Sequence, residues 1–129
     1  MENKRLFVAV VFAMVLASAG TGLAMSDHWL TGTGDGTNVG CQATLDNMEV
    51  PPGATEPRNS IYVYMYGPSG EFLGGLGKGL DGEFLLVGVS HAWVGSGTYH
   101  CHAMYHEEYV DEGGWIQTDN DTMDYYFDN

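Results

Sequence analysis

The sequence predicts an all-β domain of antiparallel strands, closed as a sandwich or a barrel. Beyond residue 24 no segment carries apolar residues at helical spacing over a useful length. Several short segments instead alternate apolar and polar side chains, as a half-buried strand does. Turn-forming clusters such as Gly67-Pro68-Ser69-Gly70, Asp81-Gly82 and Asp111-Glu112-Gly113-Gly114 separate these segments at short intervals. A chain of 129 residues has room for one such domain, and it contains no internal repeat.

Residues 1–24 read as a secretory signal peptide. Lys4 and Arg5 precede an uncharged apolar run over 6–17, and small residues follow. The run is shorter than the ~20 residues a spanning helix needs. Cleavage fits after Ala19 or after Ala24, and Ala24 is the preferred site. Residues 25–38 are rich in Gly, Thr and Asp, with Trp29 and Leu30 the only large apolar side chains, and read as an irregular arm or a short first strand.

Residues 39–45 alternate cleanly, with Val39, Cys41, Ala43 and Leu45 on one face. Pro51, Pro52, Gly53 and Pro57 make residues 46–59 a long loop. In residues 60–66, Ile61, Val63 and Met65 share one face and Tyr62, Tyr64 and Tyr66 the other. Residues 71–81 are glycine-rich and hold a short edge strand near Phe72 and Leu73. Residues 84–89 are apolar and β-prone. From Gly97 onward Tyr99, Cys101, Ala103 and Tyr105 face one way, while His100, His102, Met104 and His106 face the other. The strand ends at Asp111, residues 115–118 begin its hairpin partner, and 119–129 read as an acidic C-terminal tail.

Charge excludes some partners. The chain holds 4 Lys and Arg against 17 Asp and Glu, a formal net charge of −13. After cleavage at Ala24 only Arg58 and Lys78 remain as cations against sixteen acids, about −14. Nucleic acid and anionic lipid repel such a surface, and no stable membrane span is expected after processing. Two cysteines in an exported domain of this size favour one disulfide over free thiols. Cys41 and Cys101 would close a loop of about 60 residues, a constraint on the unfolded chain of roughly 4 kcal/mol.

The run Ser96-Gly97-Thr98-Tyr99-His100-Cys101 resembles the start of strand F in immunoglobulin-like domains, and Val39-Gly40-Cys41-Gln42-Ala43 is similar to that family's strand B. The resemblance spans residues 39–118. It implies an immunoglobulin-like sandwich, an inter-sheet bridge between Cys41 and Cys101, and Tyr99 as the corner tyrosine whose hydroxyl bonds to backbone. The family's tryptophan over the disulfide is missing, so Val63 or Met65 would fill that space. A second likeness rests on the same residues: His100-Cys101-His102-Ala103-Met104-Tyr105-His106 is similar to the last copper motif of multicopper oxidases. The remaining histidines, His28 and His91, are too few for such an oxidase, and Asp111 stands where the axial Met or Leu would be.

The functional expectation is therefore a secreted, periplasmic or cell-surface binding module without catalysis. Its binding face would carry Tyr62, Tyr64 and Tyr66 beside the histidine row, and its partner would be a protein or glycan ligand at a surface. Tyrosines offer rigid contact area with a polar tip. The alternative is a copper- or zinc-binding sandwich using His100, His102, Met104 and His106. His100 and His102 leave the same face at a Cα separation of roughly 6–7 Å, within reach of one ion. Other signals are weaker: Asp119, Asp121 and Asp124 lack the glycine and distal glutamate of a calcium loop, and Asn120-Asp121-Thr122 fits a glycosylation sequon. The glycines of residues 74–82 do not lead a strand into a helix, as a phosphate loop requires.

Expression with export should yield a product that lacks residues 1–24, because charge, length and small-residue end all match an export signal. N-terminal sequencing checks this, and a secreted product beginning at Met1 would refute it.

Overall fold

The computed structural model describes residues 26–46 and 48–129. The expected signal segment lies outside them. Seven strands follow one another: β1 (His28–Gly34), β2 (Asn38–Leu45), β3 (Thr55–Tyr66), β4 (Phe72–Leu80), β5 (Leu85–Ala92), β6 (Thr98–Val110) and β7 (Ile116–Asp128). They form a three-stranded sheet in the order β1-β2-β5 and a four-stranded sheet in the order β4-β3-β6-β7. Every pairing is antiparallel. No helix occurs among the described residues, which form an all-β sandwich.

The core follows from the period-two patterns. Leu30, Val39, Cys41, Ala43, Leu45, Leu85 and Val87 point inward from the smaller sheet. Ile61, Val63, Met65, Tyr99, Cys101, Ala103, Tyr105, Met123 and Tyr125 meet them from the larger one. Cys41 and Cys101 are bonded, with Cα atoms 5.7 Å apart, so the bridge runs from β2 to β6 across the two sheets. No free cysteine remains. β1 reaches this bridge because its third inward position is Gly32. A Cβ there would fall against the Phe127 ring and 2.9 Å from Cys101 Sγ.

Four stretches sharpen or differ from the sequence reading. Residues 28–34 are a strand, the second of the two readings given for 25–38, with Leu30 wholly buried and His28 nearly so. The expected loop over 46–59 gives way to β3 at Thr55. Pro57 is tolerated because Glu56 and Pro57 together oppose Tyr109, between the pairs Thr55–Val110 and Arg58–Glu108. That bulge releases a residue without an N–H from the ladder, and Glu56 takes the left-handed φ of 53°.

β4 is nine residues long, not a short edge around Phe72. Its glycines are required by its neighbour: Tyr64 lies opposite Gly75 and Tyr62 opposite Gly77, and a Cβ at either glycine would strike the facing ring. Aromatic rings over glycine restore the contact area the strand lacks.

The fourth stretch is 119–129, which is strand β7 up to Asp128 and not a tail. β7 pairs with β6 from Ile116–Val110 to Asp128–Thr98. Its inward positions run Asp119, Asp121, Met123, Tyr125 and Phe127, so two acids hide the apolar alternation. Asp121 can face inward because His28 Nε2 donates to its Oδ2 at 2.6 Å. The His28 ring also packs on Tyr105, with ring centroids 4.6 Å apart. Beside them Glu107 is 1% exposed and accepts the Ser26 N–H through both carboxylate oxygens, at 3.2 and 3.3 Å. Burial pushes its carboxyl above the usual range, and the Ser26 bond and His28 act in the opposite direction.

Reduction should lower the melting temperature markedly, by an amount equivalent to about 4 kcal/mol, since it frees a loop of about 60 residues in the unfolded chain. Cys41→Ser and Cys101→Ser should cost nearly the same, because each opens one bridge. Denaturant melts of the two variants check this, and clearly unequal losses would contradict it.

Candidate functional site

The outer face of the larger sheet is built by strand register. β6 lies between β3 and β7, and its outward residues meet outward residues of both. Tyr66, His100 and Tyr126 form one row, and Tyr64, His102 and Asp124 the next. Tyr62, Met104 and Thr122 follow, then Ser60, His106 and Asn120. Tyr66 and Tyr64 therefore lie beside His100 and His102, Tyr62 beside Met104, and His106 beside Ser60.

At one end of this face the rings stack. His100 sits between Tyr126 (centroids 4.4 Å apart, planes 8° apart) and Tyr66 (5.5 Å, 26°). Phe72 from β4 packs edge-on against Tyr66 at 5.8 Å. Stacked neighbours on both faces hold the imidazole in one orientation. The rings border a shallow hollow of about 600 Å³, lined by Tyr66, Pro68, Thr98, His100, His102 and Tyr126.

The polar atoms in these rows converge on Asp124. His100 Nε2 donates to Asp124 Oδ1 at 2.7 Å, and His102 Nδ1 donates to the same oxygen at 2.8 Å. Both rings are partly buried, and the Asp124 side chain is 41% exposed. Partial burial alone would raise the Asp124 carboxyl, but the hydrogen bonds from His102 and His100 outweigh it and hold it below the usual carboxylate value.

The metal row expected from sequence is thus divided. His100 and His102 come together, and Asp124 joins them from β7 within 4.8 Å between donor atoms. His106 lies two rows from His102 and turns to other partners, with Nδ1 at 2.6 Å from Asn120 Oδ1 and Nε2 at 3.3 Å from Glu108 Oε1. Met104 occupies the row between, 36% exposed. His106, engaged by Asn120 and Glu108, does not join the three-residue group. From sequence, Asp124 is weighed only as a calcium ligand, and Tyr126 not at all, because 119–129 read as a tail; neither is placed beside the histidines. The turn at Asp111–Gly114 carried the signal: a hairpin closed at Val110–Ile116 places Asp124 opposite His102.

At the start of β6 the Tyr99 hydroxyl bonds to backbone. The Tyr99 hydroxyl donates to the Gly95 carbonyl at 2.7 Å and accepts the Val94 N–H at 3.2 Å. Tyr99 is wholly buried, so these bonds satisfy an oxygen that water cannot reach.

No known family model matches the chain, and no curated protein matches it. Among solved structures it is similar to β-glucosidase 3B from Thermotoga neapolitana in complex with glycerol. That match has 17% identity and a TM-score of 0.39, and covers 85% of this chain but 18% of the enzyme. It is also similar to a β-glucosidase from Kluyveromyces marxianus in complex with glucose. There identity is 16% and the TM-score 0.33, with 84% of this chain and 15% of that one covered. The chain therefore spans less than a fifth of the length of these enzymes.

Asp124 has a folded pKa below its ordinary value of 3.8, so its contribution to stability is full above pH 3.8 and is lost as pH falls through the lower, folded value. Asp124→Asn should therefore destabilise slightly at neutral pH, by a fraction of a kcal/mol at so exposed a site. The difference from wild type should shrink as pH drops below 3.8. Paired melts across that range check it, and a constant difference would refute the assignment.

Proposed function

We propose that this chain is an exported, non-catalytic binding module of immunoglobulin type that holds a protein or glycan ligand on the outer face of β4-β3-β6-β7. The observation that carries the reading is the ring-lined hollow on that face. Tyr66, His100 and Tyr126 are held by mutual stacking, so little side-chain freedom is lost when a ligand settles there. The imidazoles, Thr98 and the tyrosine hydroxyls offer polar contacts around an apolar floor, the composition that suits specific recognition.

The immunoglobulin assignment draws support from the strand order, the bridge from β2 to β6, and the Tyr99 hydroxyl bonded to Gly95. A disulfide and the lack of a membrane-length apolar helix among the described residues are compatible with a secreted or extracellular protein. Export to the periplasm, medium or cell surface is the finer reading. It fits the N-terminal segment and the redox demands of the bridge.

Titration of ¹⁵N-labelled oxidised protein with soluble glycans and with envelope proteins of its own source tests the proposal. Amide shifts should concentrate at Tyr62, Tyr64, Tyr66, His100 and Tyr126, and Tyr66→Ala with Tyr126→Ala should abolish them. Shifts confined to the β1-β2-β5 face, an absence of shifts with every ligand, or turnover of a glycan would overturn it.

A further inference from the structure

The structure assigns a second property to the same face: we propose that His100, His102 and Asp124 form a three-ligand site for a divalent first-row transition ion such as Zn²⁺. The inference stands on these three side chains alone and does not require the hollow to hold a partner.

The donor atoms are already nearly in place. Asp124 Oδ1 is 2.7 Å from His100 Nε2 and 2.8 Å from His102 Nδ1. Around a tetrahedral zinc, with bonds near 2.0–2.2 Å, neighbouring ligand atoms stand about 3.3–3.5 Å apart. Opening each nitrogen–oxygen gap by roughly 0.6 Å is a small side-chain rotation. The two nitrogens now carry the protons that point at the carboxylate. On binding, each neutral ring carries its proton on the other nitrogen, and the freed lone pair faces the ion. A water fills the fourth position.

The surroundings favour this use of the residues. His100 keeps its orientation because Tyr66 and Tyr126 cover both ring faces, so little order remains to be imposed. His102 and Asp124 are a directly opposed pair of β6 and β7, fixed by the hairpin ladder. Two imidazoles and one carboxylate discriminate against Ca²⁺ and Mg²⁺, which prefer oxygen-only shells. The acidic surface raises the local cation concentration without choosing among cations.

His106 stays outside the site. His106 is engaged with Asn120 and Glu108, and it serves as the internal control.

Calorimetric titration of the folded, oxidised protein with Zn²⁺, in excess Ca²⁺ and NaCl, decides the matter. One Zn²⁺ should bind per chain, and Co²⁺ in its place should give visible bands of low-coordinate cobalt. His102→Ala and Asp124→Asn should each weaken binding by about 10-fold or more. His106→Ala should leave it unchanged. Asp124→Asn retains an oxygen that can accept both histidine bonds, and far-ultraviolet dichroism with a thiol count verifies its fold. Equal affinities in wild type and Asp124→Asn, an equal loss in His106→Ala, or disappearance of binding in excess Ca²⁺ would overturn the site. Because no other ligand is present, any of these results leaves the binding-module reading untouched.

Discussion

The bond between Cys41 and Cys101 joins the middle strand of one sheet to a middle strand of the other, and the arrangement of the sandwich depends on that link. Both cysteines are buried beside Ala43, Ala103, Val39 and Tyr99, at a level where the sheets are in contact. Two inward positions are thereby assigned, one on β2 and one on β6. Since strand side chains alternate, every other residue of those strands receives its face from the same assignment. A slip by one residue would turn His100 and His102 into the core and Tyr99 and Tyr105 out to solvent. The bridge and the hydroxyl bond of Tyr99 to Gly95 both oppose such a slip.

The outer face inherits its order from this inner one. With Cys101 inward, His100 and His102 point outward, and the ladders to β3 and β7 bring Tyr66, Tyr126 and Asp124 to them. The glycines of β4 extend the same logic toward the edge, since Tyr62 and Tyr64 need room where a side chain would otherwise stand. One face thus combines stacked rings, convergent imidazoles and a carboxylate. The opposite end of β6 solves a different problem. There His28, Asp121 and Glu107 lie at inward positions under β1, and hydrogen bonds and charge pairing make up for the missing apolar contacts.

Much of this was legible from residues alone where alternation was clean. Val39 to Leu45, Ile61 to Met65 and Tyr99 to Tyr105 each announce an inward face, and all three faces are in the core. Legibility failed where a polar group faces inward or a breaker sits within a strand. Asp119 and Asp121 concealed β7, Pro57 concealed the start of β3, and the glycines of β4 shortened it on paper. In each case a partner on another strand removes the objection: His28 for Asp121, the bulge opposite Tyr109 for Pro57, the rings of Tyr62 and Tyr64 for the glycines. The histidine row was visible as a row, but its division into a convergent pair and an outlying His106 was not.

Local chemistry by itself determined the all-β class, the inward faces of the central strands, and the outward placement of His100, His102 and the tyrosines of β3. These depend only on side-chain alternation along one strand. Which outward residues meet is a property of register between strands, and register is settled by the whole sandwich closing on its core. Asp124 became a partner of His100 and His102 only because β7 pairs along the full length of β6, with Met123 and Tyr125 buried on its other side. A carboxylate more than twenty residues away in sequence reaches the imidazoles because burial of its neighbours holds it there.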